Sequence, residues 1–66
     1  MTITCNGSAR DVTDGATVAT LLAELKLEPK QVAVEINLQL VPRTEHAARL
    51  LKPGDRLEIV TLVGGG

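Results

Sequence analysis

The sequence predicts an α+β domain, a mixed sheet of four or five strands with one main helix packed on one face. Three observations lead there. Apolar and polar side chains alternate around Ile3, Val34 and Ile59, the period of strands wet on one side and dry on the other. Val18, Leu21, Leu22 and Leu25 recur at helical spacing, one apolar stripe and no second. Between these segments stand Asn6-Gly7, Asp14-Gly15 and Pro53-Gly54-Asp55, residue types that turn a chain at little steric cost.

Taken in order, Ile3 and Cys5 alternate with Thr2 and Thr4, and Asn6-Gly7 then favours a tight hairpin because both residues tolerate positive φ. The return strand covers residues 8–12, and Asp14-Gly15 closes it. Thr17 is placed to cap the helix that carries the apolar stripe. Leu27-Glu28-Pro29 stops that helix, since proline disfavours helical geometry in the residue before it. Val32, Val34 and Ile36 form a third strand, Asn37 and Leu38 turn it, and a short strand through Leu40 and Val41 ends at Pro42, which cannot donate to a ladder. Residues 43–52 read as an irregular connection with about one helical turn. After the Pro53-Gly54-Asp55 turn, a last strand runs from residue 56 to about 62. Leu21, Leu22 and Leu25 are expected to pack on Ile3, Val34, Leu57 and Ile59. This order of hairpin, helix, strand pair and final strand is a β-grasp. It leaves the opposite sheet face uncovered, with Arg56, Glu58, Val60 and Leu62 of the last strand on it.

Composition excludes several classes of function. The 66 residues, 44% apolar and 23% charged, fill one domain over residues 1–66, too small for a deep substrate cavity beside its core. Seven basic and eight acidic side chains, with no aromatic residue, speak against nucleic acid, which needs phosphate-neutralising cations or stacking rings. There is no long apolar run for a membrane and no signal peptide, so the chain reads as cytoplasmic. One cysteine and one histidine cannot build a structural zinc site. Cys5 shares a strand face with Ile3 and reads as core; His46, without an evident partner, reads as a surface residue.

The terminal Val63, Gly64, Gly65 and Gly66 stand apart. Glycines beyond the last strand make no turn there, and a four-residue tail reaches about 13 Å in extended form. Lacking side chains, such a tail can thread a narrow channel and deliver the Gly66 carboxylate into another protein's active site.

Val34-Glu35-Ile36-Asn37, then Val41-Pro42-Arg43, the Gly54-Asp55 turn and the C-terminal Gly65-Gly66 together resemble the ThiS family of sulfur carriers of thiamin biosynthesis, related to MoaD and to ubiquitin. The likeness covers nearly the whole chain. Two departures are a third glycine, Gly64, and the absence of an aromatic residue after Pro42-Arg43, where His46 stands. The resemblance implies a ubiquitin-like carrier that is not itself an enzyme and binds no cofactor. An E1-like adenylating enzyme of the ThiF type would use ATP to adenylate Gly66. Sulfur from a cysteine persulfide would then displace AMP, and the thiocarboxylate would pass to a thiazole synthase of the ThiG type.

The same logic implies a docking surface. Ordering Gly64, Gly65 and Gly66 costs about 3–6 kcal/mol, and burying Val60 and Leu62 returns roughly 1.5–3 kcal/mol each. Val60, Leu62 and Val63 are therefore expected to dock, with Arg43 and Glu58 as rim charges. Three other readings share these residues: a molybdopterin-type carrier, a ubiquitin-like modifier joined to lysines through Gly66, and a plain interaction module.

Overall fold

The computed structural model describes residues 1–62; the expectations for Val63, Gly64, Gly65 and Gly66 fall outside them. Strands β1 (Thr2–Cys5) and β2 (Ser8–Asp11) form the first hairpin, followed by helix α1 (Val18–Glu24), a second hairpin of β3 (Val32–Ile36) and β4 (Gln39–Val41), and β5 (Arg56–Thr61). Short 3-10 turns at Pro29–Gln31 and Arg43–Glu45 occupy the connections. The sheet has five strands in the order β2-β1-β5-β3-β4. The last strand is thus the central one, parallel to β1 and antiparallel to β3.

Local chemistry makes these elements where the sequence placed them. Asn6 and Gly7 turn the first hairpin at φ 51° and 84°, and Asn37 and Leu38 turn the second at 53° and 72°, the left-handed geometry that matches strand twist in two-residue loops. Thr17 caps α1 reciprocally: its hydroxyl accepts from the Thr20 amide at 3.2 Å, and its own amide donates to the Thr20 hydroxyl at 2.8 Å.

Three expectations need correcting. The helix ends before the proline is reached. Leu27 N donates to Leu22 O and Lys26 N to Ala23 O, with Lys26 at φ 58°, a Schellman closure in which lysine occupies the position glycine usually takes. Leu25 is consequently the cap, only partly buried, while Val18, Leu21 and Leu22 are fully buried. Second, His46 is not a surface residue: it is 4% exposed. The 3-10 turn folds it inward, its Nε2 lies 3.2 Å from the Val41 carbonyl, and its own carbonyl accepts from Ala19 N. His46 thus joins the end of β4, through its ring, to the first turn of α1, through its backbone carbonyl. Third, Cys5 is only partly buried, at the margin of the core.

The core lies between α1 and one sheet face. Ile3, Val34, Ile36, Leu57 and Ile59 supply the sheet side and Val18, Leu21 and Leu22 the helix side, joined by Val12, Val32, Val41 and Leu51. No helix among the described residues is long and apolar enough to cross a membrane.

Candidate functional site

Alternation along β5 decides which residues meet the outside. Leu57 and Ile59 point into the core, so Arg56, Glu58 and Val60 stand on the outer face, all exposed. Leu62 follows in the same direction. Val60 is 56% exposed and Leu62 52%, as the sequence indicated. Leu62 is still tied to the sheet, its amide donating to Gln31 O at 2.7 Å, so the chain reaches residue 63 from a fixed point beside the start of β3.

Two asparagines hold β5 in this position. Asn6 extends the β1 ladder by one rung: its Oδ1 accepts from Ile59 N at 2.8 Å and its Nδ2 donates to Ile59 O at 3.2 Å. On the other side Asn37 Oδ1 accepts from Arg56 N at 3.0 Å, and Nδ2 donates to Asp55 Oδ1 at 3.1 Å. The second Asp55 oxygen accepts from Lys52 N at 2.8 Å. Asp55 is buried, and these bonds make its burial tolerable. The Asn37 and Gly54-Asp55 motifs, far apart in sequence, are therefore one latch at the start of β5, with Gly54 at φ 80° completing the turn.

Registers place the remaining outer-face residues. Val60 lies opposite Ala33, and Glu58 opposite Glu35, which in turn faces Leu40 on β4. Glu58 is thus mid-sheet, two residues from Val60 on the same face. Arg43 sits beyond the edge strand, exposed in the 3-10 turn. Sequence reasoning missed Leu38 and Leu40, which are 85% and 66% exposed; Leu38 also adopts a positive φ that strains any residue with a Cβ. No local pattern marks them, since the turn at Asn37-Leu38 and the β3–β4 register put them outward. The thiol of Cys5 is pushed up by burial, opposed in part by the Arg10 charge, which keeps it protonated and a poor nucleophile at neutral pH.

A five-stranded sheet gripping one helix, with apolar side chains exposed at the end of its central strand, defines a ubiquitin-like β-grasp domain. Comparison with known proteins then specifies the family. A family model described as "ThiS family" matches residues 3–66. The chain is 33% identical to the sulfur carrier protein ThiS of Escherichia coli, with all of both chains covered. The crystal structure of a thiamine biosynthesis protein (ThiS) from Geobacter metallireducens superposes with a TM-score of 0.85 at 33% identity, again over both full chains. A protein named thiazole synthase from Paramagnetospirillum magneticum is 42% identical over all 66 residues, although the chain spans only 20% of that relative's length. The chain belongs to the ThiS family.

Proposed function

We propose that this chain carries sulfur to a thiazole synthase as a thiocarboxylate on Gly66, with Gly64 and Gly65 as the tail that enters the partners' active sites. The observation that carries the reading is the uncovered apolar end of β5, Val60 and Leu62, immediately before that tail. Family membership and the likeness to a thiazole synthase support the thiamin pathway over the molybdopterin branch.

The chemistry follows from the poor electrophilicity of a carboxylate. An oxygen of Gly66 attacks the α-phosphorus of ATP in an E1-like adenylating enzyme and expels pyrophosphate, leaving an acyl adenylate whose AMP is a good leaving group. The terminal sulfur of a cysteine persulfide attacks the acyl carbon and expels AMP. A second thiol then takes the cysteine sulfur as a disulfide, releasing the thiocarboxylate. The chain supplies no catalytic group; it supplies the acyl end and a rigid handle. Val60, Leu62 and Val63 seat that handle on the partner, and their burial offsets the entropy lost by ordering the glycines.

The test is an intact-mass measurement after incubation with the activating enzyme, ATP and a persulfide donor. The expected product has one oxygen of Gly66 replaced by sulfur, located by fragmentation. An unchanged mass with an activating enzyme that thiolates another ThiS-family carrier would refute the reading.

A further inference from the structure

The outer sheet face carries a charge arrangement that the fold does not need. Glu35 and Glu58 lie directly opposite each other across the β3–β5 ladder, side chains on the same exposed face. Like charges in that position repel, and the cost falls on stability. Neither carboxylate is relieved by a cation: the ion pairs among the described residues join the Met1 amino group to Asp14 and Arg10 to Glu24. Arg56, two residues along β5 on the same face, lies opposite Asn37 and not within ion-pair reach of either glutamate. The pair is framed by apolar residues, Leu40 opposite Glu35 on one side and Val60 two residues beyond Glu58 on the other.

We infer that Glu35 and Glu58 form the charged centre of the docking face, and that its occupant is a protein surface presenting one arginine or lysine between apolar side chains. Only a partner of that kind meets both features at once. Its cation settles between two carboxylates that repel each other in the free chain, while its apolar groups cover Leu40 and Val60. A second copy of this chain does not fit, because two-fold packing of this face on itself brings four carboxylates together. The inference rests on the carrier reading for the identity of the partners, and it makes the acidic pair the element that selects the partner and the leucine and valine the element that adheres.

Opposite signs distinguish this role from a structural one. Glu35→Gln and Glu58→Gln each remove the repulsion, so the melting temperature rises or holds. Each also removes a charge-assisted contact, so affinity for the partner falls about tenfold. The measurement is titration of the wild-type chain and each variant into the purified activating enzyme and the purified thiazole synthase, at low and high salt, with thermal unfolding run alongside. Weaker binding by the variants to at least one enzyme, with a shallower salt dependence and undiminished melting temperature, is expected. Two outcomes would overturn the inference alone: variants that bind both enzymes as tightly as wild type, or a dimer of the chain itself that is lost in Val60→Asp. Wild-type protein that binds neither enzyme would overturn the carrier reading and this inference with it.

Discussion

The two faces of the sheet are built from the same strands and answer to different demands. On the inner face Leu57 is 0% exposed and Val34 0%; one residue along, on the outer face, Glu58 and Glu35 are exposed and have no ion-pair partner among the described residues. The inner face is what folding alone would select: aliphatic, continuous and covered by α1. The outer face holds a repelling acidic pair, exposed leucines and a turn residue at an unfavourable φ, each of which lowers the stability of an isolated domain. A period of two lets one strand serve both purposes, since adjacent residues never share a side. Stability and recognition are separable here residue by residue.

That separation breaks most visibly in the core. Leu57→Ala should destabilise the domain by about 2–5 kcal/mol, a large part of what a chain this small possesses, and chemical denaturation will show a midpoint moved far down or no folded baseline. Next comes the latch. Asp55→Ala leaves the Lys52 amide and the Asn37 side-chain amide without their acceptor, and a loss of about 2–3 kcal/mol is expected by the same measurement. A variant unfolding at the wild-type midpoint would mean that water replaces the carboxylate at no cost.

The latch also marks how far sequence reasoning reaches. Strand alternation and the helical stripe are local patterns, so the elements, their order and the exposure of Val60 and Leu62 could be read directly. Asn37 and Asp55 stood out as motifs, but their bond depends on two turns meeting at the start of β5, which no local pattern encodes. The Glu35–Glu58 pair is likewise a matter of register between strands more than twenty residues apart. His46 was misplaced because residues 43–52 have no period from which to assign a face. That His46 stands after Pro42-Arg43, where the resemblance leads one to expect an aromatic residue, was the one sign of an interior position. Lys26 at a left-handed helix end carried no sign at all, since glycine is the residue that announces such a closure.

Smaller effects sharpen the contrast. Thr17→Ala removes one half of the cap at α1 and should cost about 1 kcal/mol, visible as a modest drop in melting temperature without change in partner binding. A simultaneous loss of binding would tie the helix end to the docking face and blur the division between the two sides.

The most direct test uses a residue that the core does not need. Val60→Asp places a charge where the side chain is already 56% exposed, so the unfolding free energy should fall by no more than about 1 kcal/mol, the cost of a poor strand former beside Glu58. ATP–pyrophosphate exchange catalysed by the activating enzyme should nevertheless require at least about ten times more of the variant, because a buried valine contact is replaced by an unpaired carboxylate. Exchange at the wild-type concentration dependence, with the fold intact, would contradict the assignment of the outer face of β5 to docking.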